Sequence, residues 1–82
     1  MKEFLQLIIN TITETEIEIE QTEDIQYPRA KIFIAYIPKD KMGQLIGREG
    51  RTIKAIRTLM GVKSNSEKNK QQYYLRLEEI GQ

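Results

Sequence analysis

The stretch "LIGREGRTIKAI", residues 45–56, decides how this chain folds. Gly47 and Gly50 stand three apart between apolar residues, flanked by Arg48 and Arg51, and they interrupt what would otherwise be one amphipathic helix. Glycine accepts backbone angles that strain other residues and has no side chain to hold a neighbour away. A Gly-x-x-Gly break between two helices therefore lets a bulky ligand approach the main chain. It also leaves the first amides of the second helix facing outward at the positive end of its dipole, where a phosphate is favoured. Arg48 and Arg51 add side-chain charge to those amides, and Lys54 and Arg57 continue at three-residue spacing.

Working outward, "KMGQLI" before the break reads as a short helix with Met42, Leu45 and Ile46 on its apolar side and Asp40 as its cap. Gly43 lies inside it, a position that costs about 1 kcal/mol against alanine and that close packing could require. After the break, the spacing predicts a helix over 51–60, with Ile53, Ile56, Leu59 and Met60 on one side, Ala55 at its margin and Gly61 as its stop. Upstream, "AKIFIAYIP" is continuously apolar over 32–37 and ends at Pro38, the pattern of a central strand. Residues 21–29, with Pro28, predict a turn. "TETEIEIEQ", 13–21, alternates Thr13, Thr15, Ile17 and Ile19 with Glu14, Glu16, Glu18 and Glu20, a strand with one wet face. That glutamate row is a solvated edge, since a flat row of carboxylates does not converge on an ion.

The chain opens with Phe4, Leu5, Ile8, Ile9 and Ile12 at helical spacing and closes with "YYLRLEEI", in which Tyr73, Leu75 and Leu77 alternate with Tyr74, Arg76 and Glu78 as a last strand. The polar stretch "KSNSEKNKQQ", 63–72, predicts a mobile loop. The resulting order is helix, strand, strand, helix, helix, strand. It gives an α+β sandwich with three helices on one face of a three-stranded sheet.

At 82 residues the chain has room for one thin core and no separate catalytic domain. It contains no histidine and no cysteine, so the commonest nucleophiles, bases and metal ligands are missing, and neither an enzyme nor a metal or cofactor site is expected. No signal peptide or membrane span is legible, which leads to the expectation of a cytoplasmic protein. The net charge of +1 conceals a polarised molecule. Residues 1–27 hold one lysine against seven acids, whereas 28–82 hold twelve basic residues against five acids.

These elements resemble the KH domain, whose core is strand, helix, Gly-x-x-Gly, helix, strand with a segment Ile-Gly-x-x-Gly-x-x-Ile-x-x-Ile. Here Ile46, Gly47, Gly50, Ile53 and Ile56 fill every framework position. The preceding helix and strand are similar to the type II arrangement of prokaryotic KH domains, and residues 1–82 read as a single such domain, with 1–29 added to a core at 30–80. The size and "MGQLIGREGRTIKAIRTLM" resemble the small stand-alone bacterial KH-domain proteins of the KhpA kind.

The resemblance implies single-stranded RNA binding without catalysis, in post-transcriptional regulation or as an RNA chaperone, with about four nucleotides clamped at the loop. Single-stranded DNA fits the same clamp. The implied protein partners are a second copy or a larger KH-containing protein. Residue by residue, Gly47 and Gly50 would admit the RNA backbone, Arg48 and the nearby amides would hold phosphate, and Arg51 would reach phosphate or a base edge. Met42, Ile46 and Ile53 would floor an adjacent groove, while Ala55, Ile56 and Leu59 belong to the core. Lys54 extends the basic stripe, and Lys39, Lys41, Lys63, Lys68 and Lys70 are placed to steer phosphate. Glu49 departs from a basic turn and would dampen nonspecific affinity. Tyr73 and Tyr74, in a strand, are expected to be buried rather than stacked on bases. A second reading keeps the scaffold as a protein-interaction module, with "IFIAYI" or the second helix as its interface.

Overall fold

A computed structural model of the chain describes residues 1–26, 30–66 and 71–81. The elements run α1 (Lys2–Thr13), β1 (Glu18–Glu23), β2 (Ala30–Pro38), α2 (Lys39–Ile46), a 3-10 turn (Arg48–Gly50), α3 (Arg51–Ser66) and β3 (Gln72–Ile80). This is the expected α+β order, and the sheet order is β1-β2-β3. β1 pairs antiparallel with β2, with Ile19 opposite Ala35, while β3 lies parallel to β2, with Leu75 opposite Phe33. A parallel pair needs a crossover. The α2–turn–α3 unit is that crossover, so the glycine break sits at the hinge of the connection the sheet demands.

The alternation of each strand sends one set of side chains toward the helices. Ile19, Phe33, Ala35, Ile37 and Leu75 join Leu5 and Ile9 of α1, Leu45 of α2, and Ile53, Ile56 and Met60 of α3 in one buried cluster. The other sheet face carries Glu18 and Glu20 opposite Tyr36 and Ile34, and then Tyr74 and Arg76 on β3. Burial of this central strand on both sides explains its unbroken apolar run, since Ile34 is only 8% exposed on the helix-free face.

Several boundaries move from their expected places. Thr13 and Thr15 are not strand residues. The helix runs through Thr13, whose hydroxyl donates to the Ile9 carbonyl at 2.8 Å, and Glu14 ends it in the left-handed region at φ 54°. Side chains from α1 then hold the approach to β1. Asn10 Oδ1 accepts the Ile17 amide at 2.8 Å, and Gln6 Nε2 donates to the Ile17 carbonyl. The ladder consequently extends to Glu23, into the expected turn. The rest of that turn, 27–29 with Pro28, lies outside the described residues.

Asp40 does not cap α2. The cap position is Pro38, with no side-chain bond, and Asp40 lies in the first helical turn. Gly43 answers no packing demand, since a Cβ there would meet nothing within 4 Å. Gly61 does not stop α3, which continues to Ser66; its Cβ position is likewise open, so the helix tolerates it at about the 1 kcal/mol that glycine costs. The loop expected over 63–72 is therefore helical at 63–66, where Ser64 Oγ donates to the Gln71 carbonyl and ties α3 to the start of β3. Residues 67–70 lie outside the described set. Among the described residues, no helix is long and apolar enough to cross a membrane.

Candidate nucleic-acid interface

The turn at 47–50 is built on three residues with positive φ. Gly47 adopts φ 77°, ψ 173°, a region essentially confined to glycine. A Cβ there would lie 2.8 Å from the Thr52 Cβ and 2.9 Å from the Thr52 amide nitrogen, besides striking the Thr52 hydroxyl. Gly47 is therefore fixed by both conformation and contact. Gly50, at φ 73°, is fixed by conformation alone, because its Cβ would approach Lys54 Cε and Ile53 Cγ2 no closer than 3.9 Å. Between them Glu49 sits at φ 57°, ψ 24°, left-handed without being glycine. The two glycines thus do different work, close approach at one and chain reversal at the other.

The amides of this turn are only partly available. Gly47 N–H donates to the Gly43 carbonyl at 2.9 Å, Gly50 N–H to Gly47 at 3.1 Å, and Arg51 N–H to Arg48. The Arg48 and Glu49 amides precede the first bond that closes the 3-10 turn, the donation from Gly50 to Gly47, so they are the donors the turn itself does not use. They lie at the N-terminal end of the sixteen-residue α3, whose dipole reinforces their attraction for an anion. The expectation of a fully open first turn is corrected to these two donors, the other amides being spent on closing the 3-10 turn.

Arg48, Arg51, Lys54 and Arg57 are all exposed. Arg51 meets Glu49 at 3.5 Å, with both side chains more than 70% exposed, so the pair is worth little. Ile46 is 38% exposed beside the turn and Met42 packs half-buried against the core. Ile53, by contrast, is 7% exposed and belongs to the core cluster, so the expectation that it floors a groove is corrected to a core role. Lys41 is half-buried and Lys39 exposed at the start of α2. Lys63 is drawn to α1, its ammonium 5.5 Å from the Phe4 ring centroid, away from the turn. Lys68 and Lys70 are outside the described residues.

Three residues assigned to the interior are on the surface. Leu59 is 46% exposed, Ala55 is exposed, and both lie with Val62, 62% exposed, along the flank of α3 that the core does not use. Tyr73 is half-buried, its ring 5.8 Å from that of Phe33, but Tyr74 is 54% exposed. Strand alternation explains the difference, since neighbouring residues must point to opposite faces.

The charge separation read from the sequence becomes spatial. On the helix-free sheet face the Tyr36 hydroxyl donates to Glu20 at 3.2 Å. Partial burial, the Glu20 bond and the charges of Glu20, Glu18 and Glu78 hold its pKa above the usual tyrosine value. That face is a region of negative potential, whereas the turn lies at the basic end of the helical layer. No cluster of three or more carboxylates among the described residues converges on a metal-sized site.

Comparison with known proteins places the geometry in a family. A family model described as "KhpA/KhpB, KH domain" matches residues 2–77. "RNA-binding protein KhpA" of Chlamydia pneumoniae is 42% identical over 60 residues, covering 73% of this chain and 76% of that protein. The protein of the same name from Chlamydia caviae is 40% identical over the same length and coverage. No solved structure matches the chain. A match across nearly the whole chain, together with the helix–turn–helix crossover and its two glycines, leads to one conclusion: the chain belongs to the KhpA/KhpB family of KH domains.

Proposed function

We propose that this protein binds single-stranded RNA at the 47–50 turn and along the adjacent basic flank of α3, as a cytoplasmic post-transcriptional regulator or RNA chaperone with no catalytic step of its own. The observation that carries the reading is the pair of amides at Arg48 and Glu49 that the 3-10 turn does not itself use, beside the exposed side chains of Arg48 and Arg51, on a turn whose shape requires glycine at 47. The relatives named RNA-binding proteins support it. Phosphate takes the amides and Arg48, Arg51 supplies a second cation once Glu49 is displaced, and bases lie toward Ile46 and Met42. Single-stranded DNA has the same phosphates, so RNA and DNA oligonucleotides belong in one experiment.

A second reading, pairing with another copy or with a larger KH-containing protein, is favoured by the exposed flank Ala55, Leu59 and Val62. The two readings use different sides of α3 and are compatible.

The test replaces Arg48 and Glu49 by two aspartates and measures anisotropy of labelled single strands, after circular dichroism shows that both proteins are folded. Wild-type binding that disappears in the folded variant supports the clamp. Equal binding by both, or binding by neither, moves the function to the protein-interaction flank.

A further inference from the structure

The central strand is apolar on both faces and covered by helices on one. Phe33, Ala35 and Ile37 meet the helices in the core, while Ile32, Ile34 and Tyr36 alternate with them on the other side. Such a strand has the composition of one that is covered twice. On the helix-free face Ile32 and Tyr36 are half-buried, Tyr74 is 54% exposed and Ile80 42% exposed, so an apolar band follows β2 with no described element over it. Its two borders differ in charge. On β1, Glu18 stands opposite Tyr36 and Glu20 opposite Ile34, both exposed, and among the described residues neither has a cationic partner. On β3, Arg76 and Glu78 neutralise each other at 2.8 Å.

We propose that this sheet face docks an amphipathic helix of a partner protein that carries lysine or arginine along one flank. The dimensions fit a helix. Neighbouring strands lie about 5 Å apart, so β1 and β3 are about 10 Å apart across β2, close to the diameter of a helix laid along the band. Charge fixes which flank of that helix faces β1. Glu18 and Glu20 are two strand residues, about 7 Å, apart on one face, and side chains four residues apart on a helix repeat every 6 Å or so, so two cations at that spacing meet both carboxylates. Glu20 accepts the Tyr36 hydroxyl with one oxygen at 3.2 Å and keeps the other for such a cation. The same charges disfavour the other occupants. A nucleic acid is repelled, and a second copy joined through the same face would set these glutamates near like charges. The docking face lies across the sheet from the glycine turn and does not depend on the RNA-binding reading.

The test uses three synthetic peptides of about 18 residues, long enough to form a helix. One has a leucine face and lysine flanks, the second the same leucines with glutamate flanks, and the third the same lysines with serine replacing leucine. Amide shifts of the isotope-labelled protein are followed by nuclear magnetic resonance as each is added. The leucine–lysine peptide should shift Thr22, Ile34, Tyr36 and Tyr74, and the other two should leave them in place. Glu18→Gln with Glu20→Gln, shown to be folded by its own spectrum, should bind that peptide about fivefold more weakly, the loss of two exposed ion pairs. The peptide series itself needs no variant. Shifts confined to Ala55, Leu59 and Val62, equal binding of the glutamate peptide, or no binding of the leucine–lysine peptide overturns the proposal. Shifts of the sheet face on concentrating the protein alone, or on adding single-stranded RNA, overturn it in favour of a second copy or a nucleic acid.

Discussion

Gly47 and Gly50 look equivalent in the sequence and are not equivalent in space. At Gly47 an added Cβ meets Thr52 backbone and side chain in a φ/ψ region closed to other residues, whereas at Gly50 the space is open and only the left-handed φ opposes substitution. Gly50→Ala should therefore cost roughly 1 to 2 kcal/mol, the left-handed penalty of a non-glycine residue. Gly47→Ala should cost more, about 3 kcal/mol or above, because strain and overlap add. Urea unfolding of the two variants checks the order, and equal losses would remove the distinction drawn between close approach and chain reversal. The glycines and arginines of the site were legible because residue type alone restricts backbone conformation and charge. Their amide partners were not, since the 3-10 closure that consumes the Gly50 and Arg51 donors depends on the turn's actual angles.

At the scale of the element, α3 shows how a helix divides its residues. Leu59 and Met60 are adjacent in sequence but about 100° apart around the axis, and one is 46% exposed while the other is 3% exposed. Met60→Ala should lower stability by about 2 to 4 kcal/mol, the range for emptying a core site. Leu59→Ser should change it by no more than about 0.5 kcal/mol and weaken any self-association, as read by sedimentation velocity. A Leu59→Ser loss as large as that of Met60→Ala would show that the helix is rotated from the orientation described. The sequence placed both residues inside because a run of Ile53, Ile56, Leu59 and Met60 contains two overlapping apolar stripes, and periodicity does not say which one meets the sheet. Strand and helix order were legible because their periods differ. The ends were not, because they are decided by distant partners: Asn10 and Gln6 on the Ile17 backbone delay β1, and the tie from Ser64 to Gln71 prolongs α3 past a glycine that usually ends a helix.

Across the whole molecule the consequence of the fold is a separation of charge. The sheet order puts the acidic β1 at one edge, with β3 and the Lys54–Arg57 flank of α3 at the other, so a polyanion meets an attractive and a repulsive side on a chain of net charge +1. Four exposed cations, Arg48, Arg51, Lys54 and Arg57, line the proposed path. If three or four of them neutralise phosphates of a single strand, the logarithm of affinity should fall against the logarithm of salt with a slope of about −2 to −3, roughly a 15- to 60-fold loss between about 50 and 200 mM. Arg57→Gln should reduce that slope by about one contact, whereas Glu18→Gln with Glu20→Gln should raise affinity at low salt and steepen the slope slightly, since salt already screens the repulsion that those carboxylates exert on the strand. Anisotropy titrations at four salt concentrations give all three slopes. A wild-type slope near zero would exclude the phosphate clamp, and one steeper than about −5 would require two grooves acting on one strand, which a pair of chains joined through the Leu59 flank would supply.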